Sequence, residues 1–164
     1  MKDNQQELFV VVDKNDNILG YRSRYDCHHD KSLIHRVTDI AIFNDQGEIL
    51  MQKRSMEKDL FPGFYTLSAS GHVSKGEEYL DAAKRELSEE LGVINVELTL
   101  AGTVIVESDY ETEMAAVFTG NHNGPFTFPK DEVEFVQFFS PDEVKKIPNL
   151  TPVAKSCLKL LKIL

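Results

Sequence analysis

Residues 71–93 have the sequence GHVSKGEEYLDAAKRELSEELGV, which contains the most clearly bounded helix of the chain. From residue 78 to residue 91, apolar side chains recur at intervals of three and four, which predicts one buried stripe. The stripe consists of Leu80, Ala83, Leu87 and Leu91. The segment 74–77 resembles a capping box ahead of the helix, and Gly92 suits the left-handed conformation that ends one. We therefore predict a helix over residues 78–91.

Three carboxylates occupy another face of this predicted helix. Glu86 and Glu90 are one turn apart, and Glu89 is three positions from Glu86, so the three side chains can converge on one patch. An acidic patch is either an ordinary solvated helix face or a cation site, and the triplet alone does not decide between them. Hard cations such as Mg²⁺ take oxygen ligands and keep several waters, so a few carboxylates on a rigid helix leave room for phosphate oxygens.

The flanking segments have the short apolar runs of β-strands. Residues 9–12 and 18–21 surround a turn-rich segment, which predicts a hairpin within residues 1–25. Further strands are predicted over 37–43, 48–53, 64–67, 96–107, 113–119 and 134–139. Ser140 and Thr151 each precede a proline, which predicts a short helix to Lys146 and a final helix with Val153, Cys157, Leu158 and Leu161 on one face. This order predicts an α/β (α+β) fold with a mixed sheet between helices.

Length and charge restrict the class of protein. The 164 residues suit one domain over 1–164, and 18 basic against 27 acidic residues give a net charge of −9. This charge argues against tight binding to nucleic acid or to an anionic membrane. Cys27 and Cys157 lack metal-ligand spacing, and the chain shows neither a secretory signal nor a long apolar run, so we expect a reduced, cytoplasmic protein.

The wider constellation around the helix matches a known signature. Gly71 is followed after five residues by Glu77, and after seven more by Arg-Glu-Leu-Ser-Glu-Glu-Leu-Gly-Val at 85–93. This pattern matches, without a gap or departure, the box of the Nudix hydrolases, and the chain is identified as a member of that family. The resemblance implies an α/β/α sandwich, divalent cations (Mg²⁺, with Mn²⁺ as an alternative) and hydrolysis of a nucleoside diphosphate linked to another group.

The resemblance also implies roles for the residues of the box, which spans 71–93. Glu89 and Glu90 become the main metal ligands, and Glu86 a further ligand or the general base. The Gly71 carbonyl could join the metal shell, although an ordinary turn glycine is the alternative. Glu77 and Arg85 are expected to pair and fix the loop on the helix. Many members of the family form dimers, so a homodimer is left open.

A second resemblance covers most of the first 120 residues and points to the type I isopentenyl-diphosphate isomerases, which share this fold. In those enzymes histidines and glutamates at matching positions bind a metal, and the matching residues are His28, His35, His72, Glu111 and Glu113. Imidazole and carboxylate together form a plausible divalent-metal set, although each histidine alone has ordinary structural roles. Glu111 and Glu113, two apart on a strand, should share a face, and Glu113 is a candidate catalytic residue.

Two departures favour hydrolysis over isomerisation. Ser70 replaces the isomerase cysteine that transfers a proton, and the box carboxylates are intact. We therefore expect a small-molecule diphosphate hydrolase, with an isopentenyl-diphosphate isomerase and a non-catalytic nucleotide-sensing module as the alternatives. Lys53 and Arg54 are candidates to bind phosphate. Phe61, Phe126 and Phe128 are candidates to stack on a base or simply to pack; the substrate itself is not specified by the sequence.

Overall fold

A computed structural model describes residues 3–164, so the first two residues of the predicted hairpin region lie outside the described part. The strands are β1 (Leu8–Val12), β2 (Ile18–Ser23), β3 (Ile34–Phe43), β4 (Ile49–Arg54), β5 (Tyr65–Thr66), β6 (Ala69–His72), β7 (Thr99–Glu107), β8 (Thr112–Asn121) and β9 (Val133–Phe139). The helices are α1 (Arg24–His29), α2 (Tyr79–Leu91), α3 (Pro141–Val144) and α4 (Pro152–Leu160). No helix in residues 3–164 has the length and apolar character needed to cross a membrane.

Strand β3 organises a single mixed sheet. It pairs with β1, β4 and β6 in the antiparallel sense and with β8 in parallel, over ten registered residues from Ile34 to Phe43. The β1–β2 hairpin extends one side of the sheet, as predicted, and β7 extends the other through β8. Because β3 lies beside both β6 and β8, side chains far apart in sequence meet at one end of the sheet.

Helices cover both faces of the sheet, which confirms the predicted α/β/α sandwich. Successive β3 side chains alternate between the faces: Ile40 and Ile42 pack with Leu87 and Leu91 of α2. On the opposite face, Val37 and Ala41 pack with α4, in a cluster completed by Ala154, Cys157 and Leu158.

The central helix begins and packs slightly differently from the prediction. Ser74 and Glu77 do not cap α2: the Ser74 N–H donates to Glu77 Oε1 (3.0 Å) in a turn ahead of the helix. The helix begins at Tyr79, and the Glu78 N–H donates to Asp81 Oδ2 (3.1 Å). Leu80 is 39% exposed, so it is not part of the buried stripe. The buried face includes Ala82 and Glu90 instead, because α2 packs against β6 and β3.

Other elements differ from the prediction for local reasons. The six-residue α1 is too short for a periodic signal. Strand β6 has the sequence Ala-Ser-Gly-His, which does not predict a strand, and pairing with β3 holds it in place. Strand β7 starts at Thr99, because Val96 and Leu98 pack instead beside the α2 cluster. Helix α3 ends at Val144, and turns closed by Lys146 and Ile147 N–H groups follow it. Beyond α4, Leu161 is only half-buried.

Candidate active site

A cavity of about 240 Å³ opens where β3, β6 and the start of β8 come together. Its walls come from α1, the end of β4, the 55–64 loop, β6, α2, the β7–β8 turn and the first residues of α4. Glu86, Glu89 and Glu90 all line it, as do Gly71, Arg85, Glu111 and Glu113. The structure thus gathers most of the sequence-predicted site residues around one space.

Gly71 lies directly against the carboxyl group of Glu86. A Cβ at this position would overlap the Glu86 carboxyl group, so a larger residue here requires the Glu86 side chain to move. Arg85 fixes the loop ahead of the helix, since its Nε donates to Glu77 Oε2 (2.7 Å) and its Nη2 to Glu77 Oε1 (3.0 Å) and to the His72 carbonyl (2.9 Å). The pairing of Glu77 with Arg85 is therefore as the resemblance implies.

The three box carboxylates have different surroundings. Arg85 Nη1 donates to Glu86 Oε1 (2.6 Å) and to Glu89 Oε2 (3.3 Å), and the Glu89 side chain is 60% exposed. Glu90 is buried, and its two oxygens accept from the Ser70 N–H (3.0 Å) and from Gln52 Nε2 (2.7 Å). The acidic face is therefore not a uniformly solvated one.

Burial and mutual repulsion keep negative charge unfavourable at this end of α2. Burial, reinforced by the Glu90 charge, raises the pKa of Glu86 well above its ordinary value, although Arg85 opposes the shift. Burial also raises the pKa of Glu90, against the hydrogen bonds from Ser70 and Gln52. A divalent cation between these carboxylates would offset both costs, so the donor set fits a hard metal ion.

A second ionisable cluster contributes His28, His72 and Glu111 to the lining of the same cavity. Ligand atoms of His28, His35, His72 and Glu111 lie within 4.8 Å of one another, the one such His/Cys/Asp/Glu group found in residues 3–164. Glu111 Oε2 is 2.9 Å from His28 Nε2 and 3.3 Å from His35 Nε2, and the Nε2 atoms of His28 and His72 are 3.3 Å apart. Phe9 of β1 stacks on His72, with ring centroids 3.9 Å apart.

Some buried atoms of this histidine cluster lack hydrogen-bond partners. Within the described chain, neither ring nitrogen of His35 nor Oε2 of Glu111 makes a hydrogen bond of good geometry, despite the short distances. Burial lowers the pKa of His35, and lowers that of His72 well below its ordinary value. Burial acts to lower the pKa of His28, but Asp59 and Glu111 outweigh it and raise this pKa. Burial acts to raise the pKa of Glu111, but hydrogen bonding to His28 helps to lower the Glu111 pKa to about 2. Convergent, unpartnered nitrogen and oxygen atoms fit a divalent-metal site.

Glu113 and Asp39 add further carboxyls beneath the cavity. Glu113 of β8 lines the cavity, as does Glu111, which precedes the strand; burial together with the Glu111 and Asp39 charges raises the Glu113 pKa well above its ordinary value. Asp39 pairs in register with Ser70 and is completely buried. Burial raises the pKa of Asp39 to about 7, with a smaller contribution from the Glu90 charge.

The cations of the cavity differ in part from those expected. Arg54 lines it and donates from Nε and Nη2 to the Leu60 carbonyl (3.2 and 3.0 Å), whereas Lys53 pairs with Glu134 away from the lining residues. Two further lining cations were not predicted. Arg24 binds Asp59 through two hydrogen bonds (3.1 and 3.0 Å), and Lys58 pairs with Asp3 and Glu132 (2.8 and 2.7 Å). The four-residue spacing between Arg24 and His28 is a signal for Arg24, but it is informative only if residues 24–29 form a helix.

Of the three candidate stacking residues, one lies at the site. Phe61 lines the cavity. Phe126 packs beside the α2 core cluster, and Phe128 contacts Lys130 instead.

Comparison with known proteins agrees with this geometry. A NUDIX domain matches residues 33–161 of the chain. An uncharacterized Nudix hydrolase of Pseudomonas aeruginosa is 32% identical over 157 residues, covering 96% of this chain and 92% of that protein. The resemblance to the isomerases has a counterpart in an isopentenyl-diphosphate delta-isomerase of Mycolicibacterium vanbaalenii, 31% identical over 133 residues, covering 77% of this chain and 74% of that protein.

Structural comparison agrees at the level of the fold. The crystal structure of DR0079 from Deinococcus radiodurans superimposes with a TM-score of 0.79 over 94% of this chain and 99% of that chain, at 20% identity. The domain match, the identity with a full-length relative and the complete box lead to one conclusion. The chain belongs to the Nudix hydrolase family and is an enzyme that hydrolyses pyrophosphate bonds.

Proposed function

We propose that the protein is a Mg²⁺-dependent hydrolase, also served by Mn²⁺, that cleaves the diphosphate linkage of a nucleoside diphosphate derivative. The observation that carries the proposal is the shared cavity: the box carboxylates Glu86, Glu89 and Glu90 line the same space as the cations Arg54 and Lys58. Cations on its oxygens stabilise an anionic diphosphate, and carboxylates in the same cavity can hold a metal ion that leaves coordination positions for phosphate oxygens.

Glu86, Glu89 and Glu90 would hold the metal, with the Gly71 carbonyl as a further ligand. A Mg²⁺ ion held there would neutralise charge on the phosphate oxygens and would lower the pKa of a nearby water. Glu90 is the best-positioned of the three, because Ser70 and Gln52 fix both of its oxygens. Glu89 has the most freedom to approach a ligand, because its side chain is 60% exposed.

The remaining residues bind, orient or support. Arg54, at the cavity wall, is the candidate phosphate ligand; Lys53, which we expected to share this role, points away and is the weaker candidate. Glu113 and Glu86 are the candidate general bases, since both residues line the cavity. Arg85 and Glu77 hold the box loop on α2.

We propose a second divalent-metal site at His28, His35, His72 and Glu111, with Glu113 beside it. Support comes from the close approach of four ligand atoms and from the missing hydrogen bonds at His35. This cluster is also the observation that favours the runner-up activity, isomerisation of isopentenyl diphosphate. Against that activity stands Ser70, whose hydroxyl is a much weaker acid than a thiol with a pKa of about 8.5.

The test is a panel screen of the purified full chain. Nucleoside diphosphate derivatives, nucleoside triphosphates and dinucleotides are incubated with Mg²⁺ or Mn²⁺, and release of nucleoside monophosphate or phosphate is measured with and without a chelator. We expect chelator-sensitive hydrolysis of at least one nucleoside diphosphate derivative. No hydrolysis, together with conversion of isopentenyl to dimethylallyl diphosphate, would establish the isomerase instead; nucleotide binding without either reaction would establish a sensing module. The variant Ser70→Cys is expected to add no efficient isomerase activity.

We further propose that the protein acts in the cytoplasm on small molecules, without a nucleic acid or membrane partner, as a single domain that could form a homodimer. Two buried free cysteines, Cys27 and Cys157, and the net charge of −9 support this proposal. Size-exclusion chromatography with light scattering measures the oligomeric state.

A further inference from the structure

The cations that line the cavity differ in whether carboxylates already bind them. Within residues 3–164, the Arg54 side chain donates to the Leu60 carbonyl (3.2 and 3.0 Å) and forms no ion pair. Lys58 Nζ, in contrast, lies between Asp3 Oδ1 (2.8 Å) and Glu132 Oε2 (2.7 Å). Of these two cations, Arg54 is therefore the one whose charge is available to a phosphate.

Arg24 belongs to the same ion-pair network as Lys58. Its guanidinium donates to both oxygens of Asp59 (3.1 and 3.0 Å), and its Nη2 lies 3.4 Å from Asp3 Oδ2, so Asp3 joins the two cations. The network lines the cavity with all of its members, and we call it the carboxylate wall: Asp3, Arg24, Lys58, Asp59 and Glu132. Three carboxylates against two cations give this wall a formal charge of −1.

The carboxylate wall lies directly beside Arg54. Arg54 pairs in register with the residue that follows Glu132, and the Ser55 N–H donates to the Glu132 carbonyl (3.0 Å). Burial raises the pKa of Glu90, and of the two cations that oppose this rise Arg54 has a larger effect than Lys58, which indicates that Arg54 is nearer to the box. The cavity therefore runs from the box carboxylates past Arg54 to the carboxylate wall.

We propose that Asp3 and Glu132 limit how many phosphates a ligand of this cavity can carry, because by binding Lys58 they leave a wall that repels a third phosphate. This inference rests on the proposed function and names residues that set its preference for two phosphates. Metal ions on the box carboxylates, together with Arg54, would supply cations to two phosphates. A third phosphate beyond Arg54 would meet carboxylates whose cations are already bound, and the repulsion between like charges weakens binding.

The wall does not readily release Lys58 to a phosphate. The side chains of Lys58, Asp3 and Arg24 are only 11%, 9% and 7% exposed. Exposed ion pairs are easily broken, but breaking a buried pair leaves an uncompensated charge and is strongly destabilising. A phosphate that took Lys58 would leave Asp3 with one cation, Arg24, at the longer distance of 3.4 Å. The paired state of Lys58 is therefore the one that a ligand encounters.

Two non-hydrolysable nucleotide analogues test the proposal without turnover. The α,β-methylene analogue of ADP and the bis-methylene analogue of ATP share the base and the sugar and differ by one phosphate group. Each is titrated into the full chain by calorimetry at a fixed excess of Mg²⁺. The test variant is Glu132→Gln, which keeps the size of the side chain and removes its charge. The control is Glu134→Gln, at a glutamate that pairs with Lys53 (3.4 Å) outside the cavity lining.

The measured quantity is the ratio of the two Kd values. We expect the parent to bind the analogue with two phosphates at least about tenfold more tightly than the analogue with three. Glu132→Gln should reduce this ratio to about threefold or less, because the loss of one carboxylate charge lowers the repulsion of the third phosphate. Glu134→Gln should keep the ratio of the parent. Equal binding of both analogues by the parent, an unchanged ratio in Glu132→Gln or the same change in Glu134→Gln would overturn the proposal.

A second variant and the parent chain cover the case in which Glu132→Gln does not fold. Asp3→Asn should lower the ratio in the same direction, because Asp3 is the other carboxylate on Lys58. In the parent, raising the ionic strength from about 0.05 M to about 0.5 M should also narrow the ratio, since salt screens the partly exposed Glu132. A ratio that responds neither to salt nor to Asp3→Asn overturns the proposal.

This inference and the proposed function fail in different ways. A protein that prefers the analogue with two phosphates, loses the preference in Glu132→Gln and hydrolyses nothing retains the role of the carboxylate wall and loses the proposed function. A protein that hydrolyses diphosphate derivatives and binds both analogues equally well retains the proposed function and loses the role of Asp3 and Glu132.

Discussion

The two ionisable clusters of the cavity differ in how many hydrogen bonds stabilise their buried polar groups. Glu86 and Glu89 share Arg85, and Glu90 accepts hydrogen bonds from Gln52 and Ser70. The histidine cluster has little such support: within the described chain, His35 makes no hydrogen bond through either ring nitrogen. Neighbouring hydrogen-bond donors thus stabilise and orient the box carboxylates, whereas a bound ligand would have to supply the missing partners of the histidine cluster.

The two clusters also differ in how much of the fold is needed to assemble them. The box carboxylates Glu86, Glu89 and Glu90 all lie on α2, so helical geometry largely sets their spacing. The histidine cluster comes from α1, β3, β6 and the β7–β8 turn, so only the assembled sheet brings it together.

The largest effect is expected from Glu90→Gln. This change keeps the size of the side chain but removes a ligand charge, so turnover should fall by at least about 100-fold, more than the loss of an outer partner of a metal site. Stability should change by less than about 1 kcal/mol, because a buried charge disappears along with part of its hydrogen bonding. Steady-state kinetics and thermal unfolding measure the two effects. Glu107→Gln, an exposed glutamate of β7, is the charge-matched control, and equal activity of both variants would remove Glu90 from the mechanism.

The next largest effect is expected from Gly71→Ala. The new methyl group would overlap the Glu86 carboxyl group, so Glu86 has to move and hydrolysis should fall about tenfold or more. Overpacking should also cost about 1–3 kcal/mol of unfolding free energy, measured by denaturant titration. The double variant Gly71→Ala with Glu86→Ala relieves the overlap, so it should regain stability without regaining activity. A stable, active Gly71→Ala protein would contradict the close approach.

His35→Leu tests the second cluster. Without added metal, this variant should be as stable as the parent or about 1 kcal/mol more stable at pH 7, because it removes buried nitrogens that lack hydrogen bonds. The rise in melting temperature with Mn²⁺ that we expect of the parent chain should shrink. His29→Leu, at an exposed histidine stacked on Tyr25, is the control. An undiminished Mn²⁺ response in His35→Leu would exclude the cluster as a metal site.

The variant His35→Leu should also change how the stability of the protein depends on pH. Burial lowers the pKa of His35 below its ordinary 6.5, so on acidification the unfolded chain binds a proton that the folded chain does not. Stability from this residue is therefore complete above pH 6.5 and is lost as pH falls below it. His72 acts in the same direction and His28, whose pKa is raised, in the opposite one. We expect His35→Leu to flatten the loss of stability between pH 7 and pH 5, measured by unfolding at each pH.

The smallest effect is expected from Glu77→Gln. Partial burial acts to raise the pKa of Glu77, but hydrogen bonds from Arg85 and Ser74 lower it below its ordinary 4.5. The ionised pair is partly exposed, so its loss should cost about 1 kcal/mol at pH 7. This stability is present above pH 4.5 and is lost as pH falls, so the difference between the variant and the parent should shrink in acid. Glu107→Gln, at an exposed glutamate of β7, should match the parent throughout.

Much of the fold followed from local pattern. The hairpin, α2, α4 and most strands were predictable because their apolar periodicities are strong and their ends carry Gly or Pro signals. The short elements were not: α1 is shorter than a periodic window, and the Ser-Gly sequence of β6 disfavours a strand until β3 supplies a partner. The exposure of Leu80 was also missed, because periodicity alone does not say which neighbours cover a stripe.

The sequence by itself determined the family and the helix that carries the box, because the box is a contiguous pattern whose spacing is set by helical geometry. Tertiary structure alone decided which groups share the cavity: Arg24 and Lys58 join it, Lys53 does not, and Glu90 is buried rather than solvated. The physical reason is that the register of β3 with β6 and β8 fixes distances between residues more than thirty positions apart, and no local periodicity encodes those distances.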